Sequence, residues 1–285
     1  MDNRKKSQWG DVWRRFKRNK LAVAGLVVFC GLCLMALTAP LFFDYATDVV
    51  GIDIRNRLQS PSRYHWFGTD DLGRDVFARV VWGSRFSLSI GLSAATVALF
   101  IGGFFGAVAG FYGGWLDNVI MRVMDIFQAI PGTLLAIAIA AALGPSVPNL
   151  IIALAVSFAP SFARVVRGPI LSIRGVEYIE AAKAIGAKNS TIIVKHVLPN
   201  CMAPVIIQTT LTVAIMILIT AGLSFLGLGI EAPAPEWGSM LSSSRGHIRD
   251  HNYLAMFPGL AIMATILSLN LLGDGLRDAL DPRLK

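Results

Sequence analysis

Glu177 and Glu180 stand one helical turn apart in the stretch VEYIEAAKAIG, with Ala181, Ala182 and Gly186 beside them. A short helix of this kind can bury a small apolar face in a partner's groove while its acids reach basic or polar groups on the rim. Asp70, Asp71, Arg74 and Asp75 form a second charged group, in FGTDDLGRD. They can pair among themselves or meet a partner protein; exposed pairs contribute only about 0–1 kcal/mol, so for any single residue a self-satisfied cluster is the simpler reading. Asp117, Arg122 and Asp125 form a third group. Arg122 and Asp125 are three residues apart, so an intrahelical pair is expected there. Gln128, Gln208, Thr209, Thr210, Thr212, Ser268 and Asn270 lie in or near apolar runs, where they either line a wet path or bond helix to helix.

None of these groups makes a catalytic set. Ser93 and Ser224 each follow Gly-Leu in an apolar run, as an intramembrane nucleophile would, but His65, His196, His247 and His251 all fall in loops or at the edges of such runs. No base is therefore placed to activate either serine. The chain has no GxxxxGK[ST] phosphate loop, and Gly186-Ala187-Lys188 lacks both the second glycine and the hydroxyl. Cys30 and Cys33 have CxxC spacing without a second pair or a nearby histidine, and Cys201 stands apart, so no zinc site is expected. The expectation is a chain that is not an enzyme and itself binds neither metal nor nucleotide.

The elements that position these residues are membrane helices. The chain has 285 residues and only 15% charged residues, against about 25% in soluble domains. Its apolar residues gather into six runs, at 21–43, 86–112, 118–143, 149–166, 201–226 and 253–272, each reaching or approaching the ~20 residues that cross a bilayer. The first run is 23 residues long, longer than the ~7–15 of a signal peptide, so it is read as an uncleaved transmembrane helix. Residues 1–20 hold eight basic and two acidic residues, and the loop 164–199 holds six and two. The segment 44–85 has six of each, and 227–252 has two basic and three acidic. Lys and Arg concentrate on the cytoplasmic side, which places both termini inside and 44–85 and 227–252 outside. The same asymmetry accounts for the net charge of +8 without nucleic acid. Trp9, Val12, Trp13 and Phe16 share one helical stripe among basic residues, which reads as a helix lying along the inner leaflet. Gly102, Gly106 and Gly110 make two overlapping GxxxG patterns that suit a packed bundle or a dimer core. Pro131 is expected to kink the third span.

Between the fourth and fifth spans, residues 175–186 are expected to form about three helical turns, with Val176, Ile179, Ala182 and Ile185 on or near one face. Gly186 can take a positive φ and end the helix. Pro199 stands where the fifth span begins and a missing N–H costs little. Spacing alone leaves an ordinary loop helix and a docking helix equally open. The stretch Glu180-Ala181-Ala182, Gly186 and Leu198-Pro199, with His196 where the pattern has Ile, resembles the EAA loop of permease subunits in binding-protein-dependent ABC importers. HWFGTDDLGRD at 65–75, YGGWLD at 112–117, SFLGLG at 224–229 with PEWG at 235–238, and NLLGDGLRDALDPRL at 270–284 resemble the second, C-type permease of dipeptide, oligopeptide and nickel importers.

That resemblance implies an all-α, polytopic, type I importer permease: five core helices plus an N-terminal one. The divisions are a basic segment at 1–20, a first helix at 21–43, an outer loop at 44–85, the core at 86–272 with a coupling loop at about 167–199, and a tail at 273–285. It implies a bacterial inner-membrane subunit paired with a homologous second permease. One or two cytoplasmic ABC ATPases, which hold ATP and Mg, would dock on Glu177, Glu180, Ala181, Ala182, Gly186, Leu198 and Pro199. An extracytoplasmic solute-binding protein would meet Asp70, Asp71, Arg74 and Asp75. Gln128, Gln208, Thr209, Thr212 and Asn270 would line the path. The implied cargo is a dipeptide or oligopeptide, with nickel, a metallophore, glutathione or another small solute as the alternative. A secondary transporter would need intramembrane coupling carboxylates and a repeat, and an intramembrane hydrolase would need a base; Asp125 is the sole acid placed for the first role.

Overall fold

Asn19 sets the first corner. Its side-chain oxygen accepts the Ala22 N–H at 3.1 Å and so starts a new helix where the previous one stops. The computed structural model describes residues 8–280; residues 1–7 and 281–285, with Pro282 and Leu284 of the C-terminal pattern, lie outside the described residues, as does the Trp9 side chain. Helix α1 is Gln8–Arg18 and α2 is Lys20–Phe42. Phe16 turns inward against the end of the last helix and is 3% exposed, while Trp13 is 50% exposed with Lys17 over its ring. The expected interfacial stripe is thus divided, with Phe16 serving the chain's own packing.

Helix α3, Val76–Tyr112, begins ten residues before the expected span. Asp75 caps it by accepting the Ala78 N–H at 2.9 Å, and its first turns carry Arg79, Trp82 and Arg85. A hydropathy reading misses those turns because they are polar. At 37 residues α3 is roughly 55 Å long and outruns the ~30 Å hydrocarbon layer. It packs along α6, Val147–Ile173, through its glycines. A Cβ on Gly102 would lie 2.1 Å from the Ala159 carbonyl oxygen, and one on Gly106 would lie 2.3 Å from that of Ala163. The GxxxG pattern therefore builds an intrachain helix seam.

The third span is broken rather than kinked. Helix α4, Gly114–Gln128, and helix α5, Gly132–Leu143, meet at 80°. Pro131 has no N–H to continue the ladder. Among the described residues five helices are long and apolar enough to cross a membrane, and the bent pair makes a sixth if it counts as one span. Helix α6 runs seven residues past the expected end, so Arg164 and Arg167 belong to a helix and not to a loop. Helix α9 is Met202–Phe225, and α11, Tyr253–Leu280, continues eight residues beyond the expected 272. Between them lies the short α10, Trp237–Ser243. Among the described residues there is no strand, only an isolated bridge between Thr69 and Asp75.

The bundle has two differently built ends. One carries α1, the α3–α4 junction, residues 174–201 and the C-terminal turns of α11. The other carries residues 44–75 and α10, joined to the start of α3 by the Trp82 indole N–H on the Phe43 carbonyl at 3.0 Å.

Candidate functional site

Residues 174–201 form an elbow at the first end. Helix α7 is Glu177–Ala184, two turns rather than the expected three. Gly186 has φ +80°, its N–H reaches the Lys183 carbonyl at 3.0 Å, and the Ala187 N–H reaches that of Ala182 at 3.1 Å. This paired closure, with glycine in the left-handed position, ends the helix as expected. The expected apolar face splits. Ile179 is fully buried among Phe111, Val166, Ile170, Ile192 and Val205, whereas Val176 is 40% and Ile185 84% exposed. Ile179, Ile192, Val197 and Cys201 together pack the elbow into a cluster shared with α3, α6 and α9, and Lys183 over the Phe111 ring adds a further hold. Glu177, Tyr178, Glu180 and Ala181 are left facing outward, with Ala182 half-buried. Helix α8, Asn189–Ile192, a π turn over Ile193–Val197 and a 3-10 turn over Leu198–Cys201 lead back into α9. Leu198 is half-buried and Pro199 and His196 are exposed.

Below the elbow, α4 and α6 are joined by two ion pairs that replace the expected Arg122–Asp125 pair. Arg167 grips Asp117 with both prongs, Nε to Oδ1 at 2.5 Å and Nη2 to Oδ2 at 2.7 Å. Arg164 Nη2 donates to Asp125 Oδ1 at 2.9 Å. The partners missed in the sequence are these two arginines, because a hydropathy boundary at 166 put them at the rim of a loop. Their three-residue spacing on a helix facing α4 is the signal that locates them.

The proposed path residues lie on two walls. Gln208 donates to Thr212 at 3.1 Å, Thr209 donates to the Val205 carbonyl at 2.7 Å, and Thr212 is 1% exposed, so these three are satisfied within α9. Asn270, on α11, is exposed at the edge of an open groove of about 590 Å³ lined by Leu218, Phe225 and Ile266. Gln128 is exposed at the far end of α4, which packs on α3 and α6.

At the opposite end the charged cluster closes on itself. Arg74 Nε meets Asp70 Oδ2 at 2.7 Å and Arg79 Nε meets it at 3.5 Å, all three residues being buried. Arg79 also donates to the Val49 carbonyl at 2.9 Å. Asp75 caps α3 and meets His65 at 2.8 Å, while Asp71 is half-buried. Asp44 accepts from the Thr47 backbone and hydroxyl and the Ala46 N–H, contacts that hold its carboxyl below the usual range. Glu236 was not singled out in the sequence. It is 1% exposed, accepts from Ser87 at 3.2 Å and caps α10 through the Ser239 N–H at 2.9 Å. Burial pushes its carboxyl up, against those hydrogen bonds. Trp237 donates to the Val80 carbonyl at 2.9 Å, so α10 is plugged into the start of α3. Among the described residues no group of three His, Cys, Asp or Glu could hold a metal ion.

Residues 102–285 match the family described as binding-protein-dependent transport system inner membrane component, and residues 7–61 match the N-terminal TM domain of oligopeptide transport permease C. The chain is 50% identical over 279 residues to the dipeptide transport system permease protein DppC of Alkalihalophilus pseudofirmus, covering 98% of this chain and 91% of that one. It is 43% identical over 293 residues to the glutathione transport system permease protein GsiD of Pectobacterium atrosepticum, covering 100% and 94%. A solved structure of the MetNI methionine ABC transporter in inward-facing conformations superposes with a TM-score of 0.58 at 21% identity, over 72% of this chain and 98% of that one, a likeness of fold. The all-helical fold, the broken span and the two family matches agree over nearly the whole length: this chain belongs to the binding-protein-dependent ABC importer permeases, as a multi-pass membrane subunit.

Proposed function

We propose that the chain is the permease subunit of an ATP-driven importer of dipeptides or short oligopeptides. The observation that carries this reading is the 50% identity, over nearly the full length, to a dipeptide permease. The 43% likeness to a glutathione permease keeps a second peptide-like cargo in view. The end bearing α1, the elbow and the end of α11 faces the cytoplasm, in keeping with its excess of Lys and Arg. A homologous second permease pairs with the core, and an extracytoplasmic binding protein delivers the solute to the opposite end. There Asp71 is the member of the acidic cluster with most freedom, since Asp70 and Arg74 are held in buried pairs.

A cytoplasmic ATPase seats on the outward side of α7, with Glu177, Glu180 and Ala181 at the contact and Gly186, Leu198 and Pro199 shaping the elbow. Because Ile179 and the buried elbow residues Ile192, Val197 and Cys201 share one cluster with α3, α6 and α9, a movement of the docked ATPase is passed to those helices together. The permease supplies a two-state element, and ATP with Mg acts in the partner. The test is reconstitution of the chain with its sister permease, ATPases and binding protein in proteoliposomes. Expected is ATP-dependent uptake of labelled dipeptide in preference to glutathione or nickel. Preferred uptake of either competitor reassigns the cargo, and ion-gradient-driven uptake by the chain alone overturns the reading.

A further inference from the structure

The geometry points to the Asp125–Arg164 pair as a charged site on the translocation path that binds the two free ends of a peptide in transit. This rests on the peptide-importer reading above and assigns it a place in the membrane.

Depth comes first. Arg164 lies 17 residues after the start of α6 and nine before its end, or about 26 Å and 14 Å along the axis. A ~30 Å hydrocarbon layer takes up ~20 residues of a helix; centred on α6 it would cover about residues 151–170, Arg164 among them. Both side chains are nonetheless about half open, 52% for Arg164 and 50% for Asp125. A charge at that depth is costly against lipid, and such residues face a wet cavity or a protein partner.

The backbone supplies an independent observation. Four residues after Asp125 the helix stops, and α5 leaves at 80° from Gly132. Ala129, Ile130 and Pro131 are exposed residues, Ile130 at 46%, with Gln128 open beside them. Non-helical backbone at membrane depth persists only where protein covers it or water reaches it. The break and the open ion pair thus mark one strip of the chain that faces water or a partner subunit rather than lipid.

The second pair shows what a purely structural pair looks like here. Asp117–Arg167 is bidentate, and Asp117 is 7% exposed. Asp125–Arg164 has a single contact and both residues open. A peptide with free ends brings one ammonium and one carboxylate. Asp125 can take the first and Arg164, whose planar fork suits carboxylates, the second. In the exchange each side chain trades its partner for one end of the peptide, so both charges end paired.

The experiment uses the full complex with its binding protein in proteoliposomes. Gln128→Cys and Ser161→Cys, each one turn from the pair toward the α4–α5 break, should react with an anionic water-soluble methanethiosulfonate, and Ile152→Cys on α6 should not. Arg164→Gln and Asp125→Asn should each lower dipeptide uptake at least tenfold more than they lower binding-protein-stimulated ATP hydrolysis. The double exchange Asp125→Arg with Arg164→Asp remakes the pair with reversed polarity and should leave uptake low. Restored uptake in the exchange identifies a structural pair and overturns the inference, as does wild-type uptake in both single variants. Unreactive cysteines at 128 and 161 in a transporting complex overturn it too. If the wild-type complex takes up no peptide at all, the peptide reading fails, while cysteine labelling still reports whether the strip is wet.

Discussion

The two ends of the bundle are built on opposite plans. The cap formed by residues 44–75 and α10 directs its charges inward: Asp70 is shared by Arg74 and Arg79, Arg79 reaches the Val49 carbonyl, and Glu236 is sealed beneath Ser87. Aromatic rings close it, with Phe67 stacked on Phe257 at 3.7 Å between centroids and the Tyr253 hydroxyl donating to the Thr69 carbonyl at 3.0 Å. The elbow at 174–201 is held chiefly by Ile179 and the turns beside it and leaves its two glutamates outside. Charges spent on internal pairs rigidify a surface, and charges left solvated keep it available to a partner. Mutations of like chemistry should therefore do different things at the two ends.

The largest effect on stability is expected in the cap. Asp70→Ala leaves two buried guanidinium groups without their carboxylate, a loss of about 3–5 kcal/mol. It should appear as a sharp fall in the detergent melting temperature and in membrane abundance. A melting temperature like that of the wild type would break the comparison, because it would mean the cap is no more dependent on its charges than the elbow. Gly186→Val forces a β-branched residue to φ +80°, at a cost of roughly 1–2 kcal/mol. The protein should insert normally but lose ATPase co-purification. Retained co-purification would show that docking does not need the glycine-closed end of α7.

A pH series sharpens the contrast. Glu236 keeps its proton to higher pH in the folded chain than in the unfolded one. Its contribution is thus fully present below the unfolded carboxylate value of about 4.3 and is lost as pH rises through the elevated folded value. Melting curves of the wild type should fall over that window, and those of Glu236→Gln should be flatter. A wild type that gains stability relative to Glu236→Gln as pH rises would refute the assignment. Glu180→Lys should have the smallest effect on stability, within about 0.5 kcal/mol for a solvated site, while reducing ATP-driven uptake several-fold. Unchanged uptake would remove Glu180 from the docking face.

Legibility in the sequence followed the range of the interaction. The EAA stretch, its glycine stop and the apolar runs are local, and the elbow and the long helices lie near where they were expected, with ends moved by up to ten residues where polar turns extend a helix and the third run broken at 80° into two helices. Arg164 and Arg167 were hidden because their partners sit 39 and 50 residues away and nothing in the local pattern ranks those partners above Arg122 for Asp125. Glu236 was hidden for the same reason, since an acid in a loop looks solvated until α3 closes over it.

The amino-acid sequence by itself determined the membrane class and the position of the elbow, because hydrophobic run length, charge asymmetry and a glycine-closed helix are written in consecutive residues, while the family was legible only through the resemblance of its motifs. Only the tertiary structure decided which charges are staples and which are open. That outcome depends on the crossing of α3, α4 and α6, where the missing side chains of Gly102 and Gly106 let two backbones meet and bring distant arginines and aspartates within hydrogen-bonding reach.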